Sequence, residues 1–208
     1  MTLSREVNRG FTLIEMVVVL AVVAILAAIL TPTIAKNIND AKLARATNET
    51  QVIASAIGSF FKDLGRWPTS NGSDANHPDS VRLLYGPGTT PTDGASAAID
   101  DENWLVGGTL VTGNEDTFSN QLIANTPGGA LAYSITGNEL KWKGPYLNEI
   151  KADPWGNYYG CNIYYTYNTT TNAVGVWSAG PNRTTNTAFT ATSVSFAVGG
   201  DDIIARIQ

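Results

Sequence analysis

From Met16 to Leu30 every residue is apolar, and no charged residue occurs between Met16 and Ala35. Twenty such residues make a helix of about 30 Å, the thickness of a bilayer's hydrocarbon core. Fifteen uninterrupted apolar positions leave no polar face for water, which speaks against the buried helix of a soluble core. Pro32 removes one helix hydrogen bond and predicts a kink or a locally melted turn. Beyond it the pattern becomes amphipathic. Ile34, Ile38 and Ala41 fall at i, i+4 and i+7, and Ile53, Ile57, Phe60 and Leu64 repeat that spacing. Lys36, Asp40, Lys42, Arg45 and Glu49 lie between them and suit a solvated face. The stripe is too irregular for sustained heptads, so it predicts packing against a small sheet instead of a coiled coil. One helix is thus expected over Phe11–Leu64, about 80 Å long if fully helical. Gly65 caps it and Pro68 breaks it.

The remainder reads as a small head over 65–208. Ser70–Asp79 is a polar loop holding His77, Ser80–Tyr85 a short apolar turn of helix, and Gly86–Gly94 a second loop. Residues 95–135 alternate short apolar pieces with Gly and Asn, so a loop-rich insertion decorating the head is expected at about 86–139. Ile163–Asn168 and Ala173–Ala179 are β-rich runs flanking Thr169–Asn172, a hairpin prediction. The class is α+β, a long N-terminal helix packed on a small C-terminal antiparallel sheet.

Composition narrows the chemistry. The 208 residues carry 13 Lys and Arg against 18 Asp and Glu, a net charge of −5 that argues against a nucleic-acid partner. Cys161 is the single cysteine, which excludes an intrachain disulfide, and His77 the single histidine, which excludes multi-histidine zinc chemistry. No Gly-rich phosphate loop or nucleophile–base pairing is evident, so a membrane-tethered enzyme or binding domain is the lesser reading. Tyr158, Tyr159, Tyr164, Tyr165, Tyr167 and Trp177 suit sheet packing better than ligand stacking. Cys161 reads as a small buried hydrophobe.

Arg5 and Arg9 place positive charge before the apolar run, as a cleavable secretory signal would. Two details oppose removal of the whole segment: Glu15 stands at the membrane boundary, and helical periodicity continues past the apolar run. An ionisable residue at such an edge needs a partner. The run Arg9-Gly10-Phe11-Thr12-Leu13-Ile14-Glu15, followed by the apolar stretch, resembles the class III signal of type IV pilins and pseudopilins. The resemblance implies a leader over 1–10, cut after Gly10 by prepilin peptidase, and N-methylation of Phe11. It also implies that 11–64 serves first as a single-pass anchor in the bacterial inner membrane and then as filament core. Glu15 would pair with the terminal amine of a neighbouring subunit during assembly. A buried carboxylate without such a partner costs several kcal/mol, so the pair would set register.

Further along, Gly65–Thr69 (GRWPT), Gly144–Leu147 (GPYL), Asp153–Asn157 (DPWGN) and Val176–Asn182 (VWSAGPN) are similar, in the same order, to the major pseudopilin of type II secretion systems. That family holds calcium in its C-terminal loop, which implies Asp201 and Asp202 first, then Ser178 (by its backbone) and Asn182, as ligands. Calcium takes six to eight oxygen ligands. Asn182 stands where the family has aspartate, and Arg183–Val198 exceeds the usual spacer, so an acidic turn without an ion is the other reading. The resemblance implies a homo-oligomeric filament, periplasmic or at the cell surface. Its partners would be prepilin peptidase, inner-membrane assembly-platform proteins and minor pilins or pseudopilins. A type II secretion pseudopilus is the first expectation, and a type IV pilus for adhesion or motility the second.

Overall fold

The computed structural model describes residues 10–68, 81, 83–93, 115–129, 132–137, 140–163, 174–187 and 198–207. His77, Tyr164, Tyr165, Tyr167 and the expected hairpin turn at 169–172 lie outside them. Two compact units divide the chain, residues 1–42 and 43–208, and helix α1 (Leu13–Leu64) contributes to both.

In the first unit α1 is an exposed apolar arm. None of its most apolar 18-residue window is buried, and the helix is long and apolar enough to cross a membrane. The turn at Pro32 stays helical, against the expectation of a melted turn. Proline removes the donor to a single carbonyl, that of Ala28, and the long flanking helical turns hold the segment in register across that one missing bond. Ile34, Ile38 and Ala41 are exposed, so the first part of the anticipated stripe packs on nothing among the described residues.

In the second unit the stripe begins at Ala46 and runs through Thr50, Ile53, Ile57, Phe60 and Leu64, all buried. The steps of four and three keep one face toward the sheet. Thr50 is tolerated there because its hydroxyl turns back to the Thr47 carbonyl (2.9 Å). Gly65 ends the helix at φ +66°, donating its N–H to the Phe61 carbonyl at 2.7 Å, a left-handed cap that glycine adopts without Cβ strain.

Among the described residues seven short strands follow: β1 (Leu83–Tyr85), β2 (Thr92–Asp93), β3 (Glu115–Thr117), β4 (Gly160–Cys161), β5 (Gly175–Ser178), β6 (Thr184–Thr185) and β7 (Ile203–Arg206). Five form one sheet in the order β3-β1-β4-β5-β7, and β2 pairs with β6 apart from it. The sheet is mixed, not purely antiparallel, because β3 runs parallel to β1. Leu83–Tyr85 is a strand where a turn of helix was expected: β3 and β4 flank it on both edges, and Leu83 and Leu84 point into the core. Antiparallel pairing is present between β4 and β5; the run expected to form the first arm of the C-terminal hairpin, Ile163–Asn168, lies outside the described residues beyond Ile163.

The stretch anticipated as a decorating insertion is partly core. Phe118, Leu122 and Tyr133 are buried with Ile57 and Phe60 in one hydrophobic cluster, and the Tyr133 ring meets Phe60 edge-on at 5.1 Å. A polar network lets this segment in. Buried Asp116 accepts from the Thr117 and Gly128 N–H groups (2.7 and 2.9 Å) and from the Asn120 amide (2.6 Å). Asn125 exchanges two hydrogen bonds with the Tyr133 backbone. Buried polar groups paired in this way do not oppose folding.

Candidate assembly site and the clamped loops of the head

At the start of α1, Gly10 and Phe11 are exposed, Phe11 to 85%. A Cβ built on Gly10 would meet nothing within 4 Å, so the chain's own packing does not demand glycine there. Any demand for glycine would have to come from a protein acting on this bond. Thr12 precedes the first helical residue and Glu15 is the third. The Thr12 N–H and hydroxyl both donate to Glu15 Oε2 at 2.7 Å, and the Glu15 N–H donates to Thr12 Oγ1 at 3.3 Å. This reciprocal capping box satisfies two of the free donors at a helix start. Thr12 carries a role beyond those expected for this segment, and the Thr-x-x-Glu spacing at 12–15 is its signature in the chain. Glu15 is thus held at the end of the helix next to Phe11, with one carboxylate oxygen oriented by Thr12.

In the head, the motif Asp153–Asn157 is a turn organised by its first residue. Asp153 Oδ1 accepts from the Trp155 and Asn157 N–H groups (2.9 and 2.8 Å), and Oδ2 accepts from the Ser178 hydroxyl at 2.7 Å. Thr89 docks the same turn, donating its N–H and hydroxyl to the Gly156 carbonyl (2.9 and 3.0 Å). Two motifs distant in sequence therefore share one hydrogen-bonded junction. Beside it, Tyr159 donates to Glu49 Oε2 at 2.6 Å, and Arg45 pairs with Glu49 Oε1 at 2.8 Å while reaching the Ala152 carbonyl at 3.2 Å. Burial, then the hydrogen bond and charge of Glu49, pushes the Tyr159 hydroxyl far above the usual tyrosine range. Cys161 is fully buried, and burial likewise raises its thiol.

The four residues expected as metal ligands meet in the C-terminal loops in roles of their own. Asn182 donates its N–H to Asp201 Oδ2 at 2.9 Å. Its side chain accepts from the Thr184 N–H (2.6 Å) and donates to Asn186 Oδ1 (2.8 Å). An aspartate at 182 could accept the first bond but could not donate the second, which gives the asparagine a structural reason. Asp202 Oδ2 accepts from the Asn186 and Thr187 N–H groups (2.9 and 2.6 Å). Gly180, at φ +65°, lies so close to the Asp201 carbonyl that a Cβ would sit 2.1 Å from it. The Ser178 hydroxyl is committed to Asp153. Asp201 Oδ1 and Asp202 Oδ1 are buried and accept no hydrogen bond among the described residues. Among the described residues no three His, Cys, Asp or Glu side chains cluster, so carbonyl, amide or water oxygens would join the two aspartates in any calcium shell.

Residues 7–31 match the family described as the prokaryotic N-terminal methylation motif, and residues 129–195 match that of type II secretion system protein G. Fimbrial protein EcpC of Eikenella corrodens is 34% identical over 67 residues, 32% of this chain and 44% of that protein. Type IV major fimbrial protein FimA of Dichelobacter nodosus is 30% identical over 146 residues, 66% of this chain and 83% of its own length. Type II secretion system core protein G of Klebsiella michiganensis is 32% identical over 66 residues, 32% of this chain and 46% of that protein. The chain spans about half the length of the curated relatives that it matches first, 44% and 48% of two of them. No solved structure matches.

Proposed function

Because this chain belongs to the type IV pilin family, we propose that it is a structural subunit of a helical, pilus-like filament, the pseudopilus of a type II secretion system. Prepilin peptidase cuts between Gly10 and Phe11, and Phe11 is N-methylated. The arm holds the subunit in the inner membrane as a single pass until the assembly platform draws it into the filament, where minor pseudopilins join it. Glu15, held by Thr12 beside the new amine, is the side chain that meets a neighbouring subunit's terminus. The chain acts by polymerising, not by catalysis.

The arm itself supports this reading. Its apolar side chains are exposed all round, Val17, Leu20, Val23 and Leu26 to between 53 and 63%, and such a surface is stable only in lipid or against other helices. Co-expression with prepilin peptidase and an assembly ATPase tests it. The expected outcome is a methylated Phe11 terminus by mass spectrometry and sheared filaments containing the chain by electron microscopy. A chain that keeps residues 1–10 and stays monomeric in the membrane would overturn it.

A surface type IV pilus is the second reading, favoured by the length of the alignment with FimA. Deleting the gene separates the two: loss of protein secretion marks a pseudopilus, and loss of surface fibres with secretion intact marks a pilus.

We further propose that the C-terminal loops hold calcium through Asp201 and Asp202. Their two buried, unpartnered oxygens are the donors such an ion needs. The ion would tie the 178–187 loop to the 199–202 turn. Titrating the full chain in detergent with calcium is expected to raise its melting temperature, and an unchanged melting temperature in saturating calcium or in chelator would eliminate the site.

A further inference from the structure

Of the four expected ligands, Asn182 is the one whose side-chain oxygen is already committed to its own turn. Its Oδ1 accepts from the Thr184 N–H at 2.6 Å, and its amide nitrogen donates to Asn186 Oδ1 at 2.8 Å. Asn186 itself is seated on the acidic turn. Its N–H donates to Asp202 Oδ2 at 2.9 Å. A Cβ on Gly199 would collide with the Asn186 carbonyl oxygen, and a Cβ on Gly200 with Asn186 Oδ1. Two glycines therefore make room for this one residue immediately before Asp201 and Asp202. Asn182 ties the same groups together from the other side: its backbone N–H donates to Asp201 Oδ2 (2.9 Å) while its amide holds Asn186.

The chemistry of Asn186 suits a cation that already has two carboxylates. An amide oxygen carries two lone pairs; the Asn182 amide takes one at Asn186 Oδ1 and leaves the other for a ligand. Calcium binds amide oxygens beside carboxylates. Asp201 and Asp202 together match the ion's two positive charges. A neutral third oxygen adds a ligand without a third negative charge to repel them in the empty site.

We propose that Asn186 Oδ1 is the third side-chain oxygen of the calcium site, in place of Asn182, whose amide orients it. The inference rests on the calcium reading above. It draws the ligand from 183–198, the stretch that exceeds the usual spacer, so the longer spacer supplies what the missing aspartate at 182 does not.

Calcium chloride is titrated calorimetrically into the full chain in detergent, as parent, Asn186→Ala, Asn186→Asp and Asn182→Ala. Asn186→Ala should bind about tenfold more weakly or worse, having lost one ligand. Asn186→Asp keeps an oxygen at that place and adds a charge, so it should bind at least as tightly as the parent. Asn182→Ala leaves Asn186 its oxygen but loosens it, and should fall between the parent and Asn186→Ala. Melting in chelator establishes that each variant folds, and the rise in melting temperature on adding calcium should be smallest for Asn186→Ala. Parent-like affinity in Asn186→Ala, or a greater loss in Asn182→Ala than in Asn186→Ala, would overturn the ligand and leave the calcium reading standing. If Asn186→Ala does not fold, Asn186→Asp decides, and binding weaker than the parent's overturns the assignment. No binding by the parent would overturn both readings.

Discussion

The Ser178 hydroxyl donates to Asp153 Oδ2 at 2.7 Å, both residues buried, joining two loops 25 residues apart. Asp153 spends its other oxygen on its own turn, so Ser178 is what binds that turn to the end of β5. Ser178→Ala leaves a buried carboxylate oxygen without a donor, at a cost of about 1–3 kcal/mol. Asp153→Ala should cost more, because two backbone N–H groups lose their acceptor as well. Denaturant unfolding of the full chain in detergent checks the order, and equal midpoints for Ser178→Ala and the parent would show that the junction is dispensable.

The Thr12–Glu15 box predicts a hydroxyl dependence at the start of α1. Thr12→Ala removes the side-chain half of the cap, worth about 0.5–2 kcal/mol, and frees Glu15 to reorient. Thr12→Ser should retain both. Hydrogen exchange of the Leu13–Met16 amides in micelles is expected to speed up in Thr12→Ala and to stay at parent rates in Thr12→Ser.

Cys161 gives a built-in reporter of head stability. Its side chain is fully buried and its thiol raised by that burial, so thiolate is scarce and inaccessible while β4 stays paired. Alkylation at neutral pH should run roughly a thousandfold or more slower than in denaturant, the factor that about 4–5 kcal/mol of protection sets. Cys161 modification at the denatured rate under native conditions would show that β4 opens freely.

The helix was legible because apolar spacing alone decides it: the run from Met16 admits no other solution, and Ile53, Ile57, Phe60 and Leu64 all reach the core. Thr50 was missed because a threonine breaks the apolar pattern while its hydroxyl is satisfied locally. The segment at 115–133 was read as decoration because its anchors are polar. Asp116, Gln121 and Asn125 look like loop residues until their hydrogen bonds are seen to carry Phe118 and Leu122 inward. Strand β1 was read as helix because three residues carry no period, and its identity depends on β3 and β4 arriving from far along the chain. At the candidate site, the residue types were visible but not their commitments. Nothing in the spacing of Asn182 reveals that its amide donates to Asn186, or that Ser178 faces Asp153.

The Tyr159–Glu49 contact predicts a loss of stability in alkali that a phenylalanine removes. Tyr159 is buried, and its hydroxyl, donating to Glu49 at 2.6 Å, ionises far above its ordinary value in the folded head. In the unfolded chain it titrates near pH 10. Above that pH the unfolded state gives up a proton that the folded state keeps, so stability falls with rising pH; below it the full contribution is present. Tyr159→Phe should cost about 1–3 kcal/mol at pH 7, since Glu49 loses a charge-assisted hydrogen bond. It should also flatten the decline between about pH 10 and 12, because the proton difference at this site disappears. The two effects separate cleanly in unfolding free energies measured at pH 7 and pH 11 for both chains. The gap between parent and variant should narrow at the higher pH, and a gap that does not narrow would mean that the Tyr159 hydroxyl ionises in the folded head as readily as in the unfolded chain.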